Sequence, residues 1–96
     1  MTDHHHHQHT HTTHTDIVKR LKRATGHLQK VITMIEAKRT CVDITQQLHA
    51  VEMAINAAKK LVIHDHLDHC LEGIAKGGAA GIKNSISEFK NITKYL

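Results

Sequence analysis

The stretch Cys41–Glu72, CVDITQQLHAVEMAINAAKKLVIHDHLDHCLE, contains neither Gly nor Pro. Its apolar residues Ile44, Leu48, Val51, Ile55, Ala58 and Val62 step by 4, 3, 4, 3 and 4. That is a heptad stripe along one face of a helix. At the standard rise the segment forms a rod of ~48 Å, too long to be stable without packing along its face. Upstream, Ile17, Leu21, Ala24, Leu28, Val31 and Ile35 repeat the same steps. This predicts a first helix starting at the N-cap types Thr15 or Asp16 and ending near residues 37–39. Gly26 lies inside it and costs ~1 kcal/mol relative to Ala. Downstream, Gly77, Gly78 and Gly81 mark a flexible break. A third helix then covers Ile82 to Tyr95, with Ile82, Ile86, Phe89 and Ile92 inward. No strand pattern appears. The expected fold class is all-α, a three-helix protomer over residues 15–96 that packs as a bundle across subunits.

Length and composition support that need for partners. The chain has 96 residues, and Phe89 and Tyr95 are its only aromatics. One small domain of Leu, Ile, Val and Ala gains much by burying surface against another copy. No apolar run is long enough to span a membrane, and no secretory signal pattern is present. Two Cys without an export signal point to reduced thiols and a cytoplasmic location. Lys and Arg number 13 against 9 Asp and Glu, a net charge of +4 that an oligomer multiplies. Such a surface attracts polyanions.

Histidine is the compositional outlier, with 12 residues. Seven of them lie in the tract of residues 1–14, which includes HHHHQHTHTTH at 4–14. The tract has no apolar periodicity and reads as a disordered, metal-loading arm. It is interrupted, unlike the six consecutive His usual in an expression tag. The more specific signal lies in the second helix. His66 and Cys70, four residues apart, share one helix face about one turn from each other. Imidazole and thiolate together suit Zn(II), Cu(I), Ni(II) or Co(II). Two donors make a weak site, and Cys41 is the only other thiol. Cys41 and His66 are 25 residues apart, ~37 Å along a continuous helix, so one chain cannot bring both to one ion. Two copies of the helix running antiparallel can, which predicts an antiparallel dimer of the four-helix-bundle type with metal between subunits. The competing reading is that Cys70 is a small buried hydrophobe and the pair a coincidence in a His-rich chain. His64 and His69 read as solvated, and His27 and His49 as structural or exposed.

These residues resemble the CsoR/RcnR family of bacterial transcriptional repressors. The resemblance spans roughly Asp16 to Glu72 and rests on RLKR at 20–23 followed by Gly26, Cys41 followed by QQL at 46–48, and the His66-x-x-x-Cys70 pair. It implies a helical protomer, an antiparallel dimer and a dimer of dimers that binds operator DNA until an effector enters between subunits. It carries the family's ligand positions onto Cys41, His66 and Cys70. Nickel- and cobalt-type members add a His 32 residues before the central Cys, which is His9 here.

The effector expected is Ni(II) or Co(II), because the His-rich arm supplies borderline nitrogen donors. Cu(I) comes next, since Cys41, His66 and Cys70 also make a two-thiolate, one-imidazole set. Copper members, however, commonly have Tyr before the central Cys, where Thr40 stands here. They also carry a third-helix Glu beside the ligands, and Glu88 is near that place without a clear alignment. Zn(II) and formaldehyde follow. Lys19, Arg20, Lys22 and Arg23, with Lys59 and Lys60, are the candidate DNA-contacting cations. Two departures bear on that contact: Glu52 stands where many members have Arg, and His27 replaces the usual Gln. A non-DNA-binding metal buffer is the alternative function. No phosphate loop or Ser/His/Asp arrangement suggests an enzyme.

Overall fold

A computed structural model describes the backbone of residues 5–96 and the side chains of residues 14–96. Among the described residues there are three helices and no strand. α1 runs His5–Glu36, α2 Cys41–Lys76 and α3 Ala79–Thr93. The chain divides into two compact units, one ending at Lys59 and the other running Lys60–Leu96.

In the first unit, α1 packs with the first part of α2. α1 begins at His5, well before the expected cap at Thr15 or Asp16. Nothing from residue 5 to Ala24 is Gly or Pro, and once a helix is nucleated each further residue adds a hydrogen bond. At its other end the chain turns through Lys38, which has φ 58°. The Lys38 amide donates to the Ile35 carbonyl at 3.0 Å and the Arg39 amide to the Met34 carbonyl at 3.0 Å. That pair of bonds is a Schellman closure, with Lys38 in the left-handed position usually given to Gly. Thr40 then caps α2, its Oγ1 accepting from the Asp43 amide at 3.1 Å. Asp43 also holds Arg39 at 3.2 Å.

The heptad stripe is split in two. Ile17, Ala24 and Val31 of α1, joined by Met34, are buried, as are Val51 and Ala58 of α2. The alternate members Leu21, Leu28 and Ile35, and Leu48 and Ile55, remain exposed at 41–53%. Leu28, Leu48, Val51, Met53 and Ile55 line an open, mostly apolar cavity of about 710 Å³.

In the second unit, burial passes to Ile63 and Cys70, while Val62, expected inward, is 43% exposed. The register read from the first unit does not carry through, because which face is covered depends on the packing neighbour. α2 also continues past Glu72 through Gly73 to Lys76. The break is confined to Gly77 and Gly78, and Gly81, expected within it, lies in the first turn of α3. Gly78 caps α3 in an extended conformation. α3 buries no residue, and Ile86 and Phe89, expected inward, are exposed in the single chain. Within this unit a single α2 segment faces α3, so its apolar stripe is only half covered.

Candidate metal centre

The second unit assembles the donor cluster. His66 and Cys70 lie one turn apart on α2, and Glu88 of α3 reaches both. The Glu88 Oε2 is 3.3 Å from His66 Nε2 and 4.0 Å from Cys70 Sγ. One ligand atom from each of the three lies within 4.8 Å of the others. The Cys70 side chain is buried, whereas His66 and Glu88 are partly open to solvent. Burial pushes the Cys70 thiol above its ordinary range, and the carboxylate of Glu88 adds to the push. A thiol held in that way keeps its proton near neutrality until a cation displaces it.

Glycines bring α3 this close. A Cβ on Gly73 would strike the Ser85 hydroxyl, and one on Gly77 would lie 2.6 Å from the Gly73 carbonyl and 3.2 Å from the Gly81 Cα. Only residues without a side chain fit at Gly73 and Gly77 as the unit stands. Beside this contact an open cavity of about 470 Å³ is lined by Cys70, Gly73, Ser85 and Glu88, with His69 and Glu72 also on its wall. It gives solvent a path towards a thiol that is itself only 2% exposed.

The other expected ligands stand apart from this cluster. Cys41 is the first residue of α2, in the first unit, where it is exposed. Both thiols are free. His9 falls on α1, but its side chain lies outside the described residues, as do the other side chains before His14 in the tract expected to be a disordered arm. His64 and His69 are exposed. His27 is structural: its Nε2 sits 2.6 Å from Gln47 Oε1, tying α1 to α2. His49 is exposed and 3.6 Å from Glu52. Glu88 is the functional candidate that sequence reasoning left unplaced. Its signal was a carboxylate in a helix of unknown register, and only the position of the break supplies the register.

The expected DNA-contacting residues are accessible. Lys19, Arg20, Lys22 and Arg23 are exposed on α1, and Lys59 and Lys60 are exposed on α2. Arg20 Nε donates to Asp16 Oδ2 at 3.0 Å. Arg20, Arg23 and His27 line a shallow pocket with Ala24, Ala54 and Ala57. No helix among the described residues is long and apolar enough to cross a membrane.

Residues 13–95 match the profile of the family described as metal-sensitive transcriptional repressor. The chain is similar to the copper-sensing transcriptional repressor CsoR of Mycobacterium ulcerans (strain Agy99), with 38% identity over 78 residues. That match covers 81% of this chain and 65% of that protein, so the chain spans somewhat less than two thirds of this relative. It is also similar to the copper-sensing repressor CsoR of Bacillus subtilis (strain 168), 35% identical over 81% of this chain and 79% of that one. Among solved structures, the nickel-responsive transcriptional regulator InrS superposes with a TM-score of 0.76 at 30% identity. The superposition covers 83% of this chain and 88% of InrS. With nearly its whole length matched, the chain belongs to the metal-sensitive transcriptional repressor family.

Proposed function

We propose that this protein is a cytoplasmic repressor that binds operator DNA as a metal-free tetramer and releases it on binding Ni(II) or Co(II), derepressing metal efflux. The observation that carries this reading is the pairing of His66 and Cys70 one turn apart, beside an open cavity, with the other thiol, Cys41, too far along the same helix to join them. The exposed Cys41 of a second copy supplies that donor in an antiparallel dimer. The half-stripe Leu21, Leu28, Leu48 and Ile55, left uncovered by the single chain, offers the surface for such a dimer. Imidazole and thiolate donors suit a borderline divalent ion, and His9 is the candidate fourth ligand. The likeness to nickel-responsive InrS supports this choice of metal.

The exposed cations of α1 would neutralise phosphates, and no aromatic set or recognition-helix pattern suggests base reading, so shape readout fits best. Ion binding acts as a coupling free energy between the donor site and the basic surface. It can shift the protein only as far as the two arrangements differ in ion affinity. Once bound, the ion supplies a bridge between subunits that neither thiol forms alone.

Cu(I) sensing is the second reading. It is favoured by the copper-sensing relatives and by Glu88 standing against His66, where copper members are expected to carry a third-helix Glu. A mobility-shift assay on the promoter beside a metal-efflux gene decides between them. It compares Ni(II), Co(II), Cu(I), Zn(II) and formaldehyde on wild type and His9→Ala. The expected result is salt-sensitive binding by apo protein, release by Ni(II) or Co(II), and a weakened response in His9→Ala. Release by Cu(I) alone with His9→Ala silent would establish the copper reading. No salt-sensitive binding at all would leave the metal-buffer reading.

A further inference from the structure

We infer that His27 is the proton-dependent third cation of a phosphate-binding notch shared with Arg20 and Arg23, so that the protein's grip on a DNA backbone tightens as pH falls. The inference rests on the reading of α1 as the DNA-facing helix, and it adds to that reading a residue and a form of regulation.

The first argument is shape. Arg20, Arg23, Ala24 and His27 follow one another at steps of 3, 1 and 3, which keeps them on one face of α1. Opposite them α2 offers the small side chains of Ala54 and Ala57, and the two helices leave a notch of about 160 Å³. Three groups able to carry positive charge thus border one recess with apolar walls. A cleft lined by one sign of charge focuses its field on an incoming anion. Gly26, on the same face as Arg23 and Lys30, has nothing within 4 Å of where a Cβ would stand. Bare helix backbone there allows a bulky phosphodiester chain to come close.

The second argument is charge. Among the described residues no acid lines the notch. Asp16, one turn before Arg20, accepts from its Nε at 3.0 Å and leaves the two terminal nitrogens for another acceptor. The groups facing the imidazole are Arg20 and Arg23 from α1, and Gln47, Ala54 and Ala57 from α2. The acids of this part of α2 are engaged elsewhere, Asp43 with Arg39 at 3.2 Å and Glu52 with His49 at 3.6 Å. Lys30, one turn beyond His27, is exposed and adds to the positive surface.

The third argument is imidazole chemistry. Gln47 Oε1, 2.6 Å from His27 Nε2, is an acceptor, so Nε2 carries a hydrogen in both states of the ring. The proton gained or lost is therefore the one on Nδ1. Imidazole is the side chain whose charge ordinarily changes between pH 5 and 8. An anion within a few ångströms favours its charged form. Phosphate in the notch draws one proton from solvent onto His27, and by reciprocity a lower pH strengthens phosphate binding. The bond to Gln47 survives both states, so the α1–α2 tie is kept while the charge changes.

The test measures binding of full-length apo protein to the promoter duplex beside a metal-efflux gene, and to a scrambled duplex of equal length. It is run at pH 6, 7 and 8 over a range of salt. His27→Gln keeps an amide donor for Gln47 and never carries charge, whereas His27→Lys carries charge throughout. Phosphate contacts hold no sequence information, so the His27 contribution should be equal on both duplexes. From pH 8 to pH 6 wild-type affinity should rise by about tenfold more than that of His27→Gln. The comparison subtracts the His tract, whose protonation strengthens DNA binding in both proteins. At pH 6 the slope of log affinity against log salt should be shallower in His27→Gln by about 0.9 for each His27 engaged. His27→Lys should recover that slope and lose the same part of the pH dependence. The inference is overturned if His27→Gln keeps the wild-type pH dependence, or if His27→Lys recovers none of the salt slope. Promoter-selective binding with a silent His27 defeats the notch alone. A His27-dependent pH effect without preference for the promoter defeats operator repression and leaves the notch. No salt-sensitive binding to either duplex overturns both.

Discussion

Before Lys60 the chain is held by ordinary apolar packing: Ile17, Ala24, Val31, Met34, Val51 and Ala58 are all buried. After it only Ile63 and Cys70 are buried, and one of those two is a proposed metal donor. The cations proposed to meet DNA lie mainly in the first unit, on the exposed side of α1. The three-donor cluster lies wholly in the second. The difference teaches that the two proposed tasks fall on parts with different means of cohesion. The first unit keeps its shape through side-chain volume. The second keeps its shape through absent side chains, since Gly73 and Gly77 allow α3 to approach, and that approach brings Glu88 to His66 and Cys70.

The contrast can be broken most severely in the first unit. Val31 is 1% exposed, and Val31→Asp places an unpaired carboxylate among apolar groups. The expected cost is about 3–5 kcal/mol, read as loss of the cooperative transition in thermal circular dichroism. The corresponding lesion in the second unit adds an atom instead of a charge. Gly77→Ala puts a methyl against backbone at Gly73 and Gly81, which cannot rotate away. A destabilisation of about 1–3 kcal/mol should follow, read from the midpoint of a denaturant titration. Gly73→Ala should cost less, because the Ser85 hydroxyl it meets can change rotamer.

Proton competition sharpens the comparison next. The buried Cys70 thiol has its pKa raised, so at neutral pH an incoming ion must expel that proton. Lowering the pH from 8 to 7 should therefore weaken binding by about tenfold, or ~1.4 kcal/mol, for this one proton. The dependence should flatten only where the pH exceeds the raised pKa. A Co(II) titration of Cys41→Ser at the two pH values measures it. The smallest effect returns to the first unit. Lys38 occupies a left-handed conformation that Gly adopts without a Cβ clash. Lys38→Gly should stabilise the chain by up to about 1 kcal/mol in a denaturant titration and leave metal binding unchanged.

How much of this was legible in the sequence differs from element to element. α2 was plain because a long segment free of Gly and Pro, with apolar residues at helical spacing, has no competing structure. The pairing of His66 with Cys70 followed from helix periodicity alone. The stripe of six residues on each long helix was legible as a set. Its division into Val31-type positions buried by the chain itself and Leu28-type positions left open was not. Burial of alternate members depends on where the neighbouring helix sits, and spacing along one helix does not contain that.

The sequence by itself determined the helical class, the placing of His66 and Cys70 on one face of α2, the separation of Cys41 from them and the basic start of α1. All of these are properties of a single helix, and helix geometry converts sequence number directly into position. The tertiary structure alone decided that Ile63 and not Val62 is buried, that α3 starts at Ala79, and that Glu88 reaches His66 and Cys70. Each depends on how one helix meets another across a turn. Three glycines left the position of that turn ambiguous, and moving it by one residue rotates every side chain of α3 by about 100°.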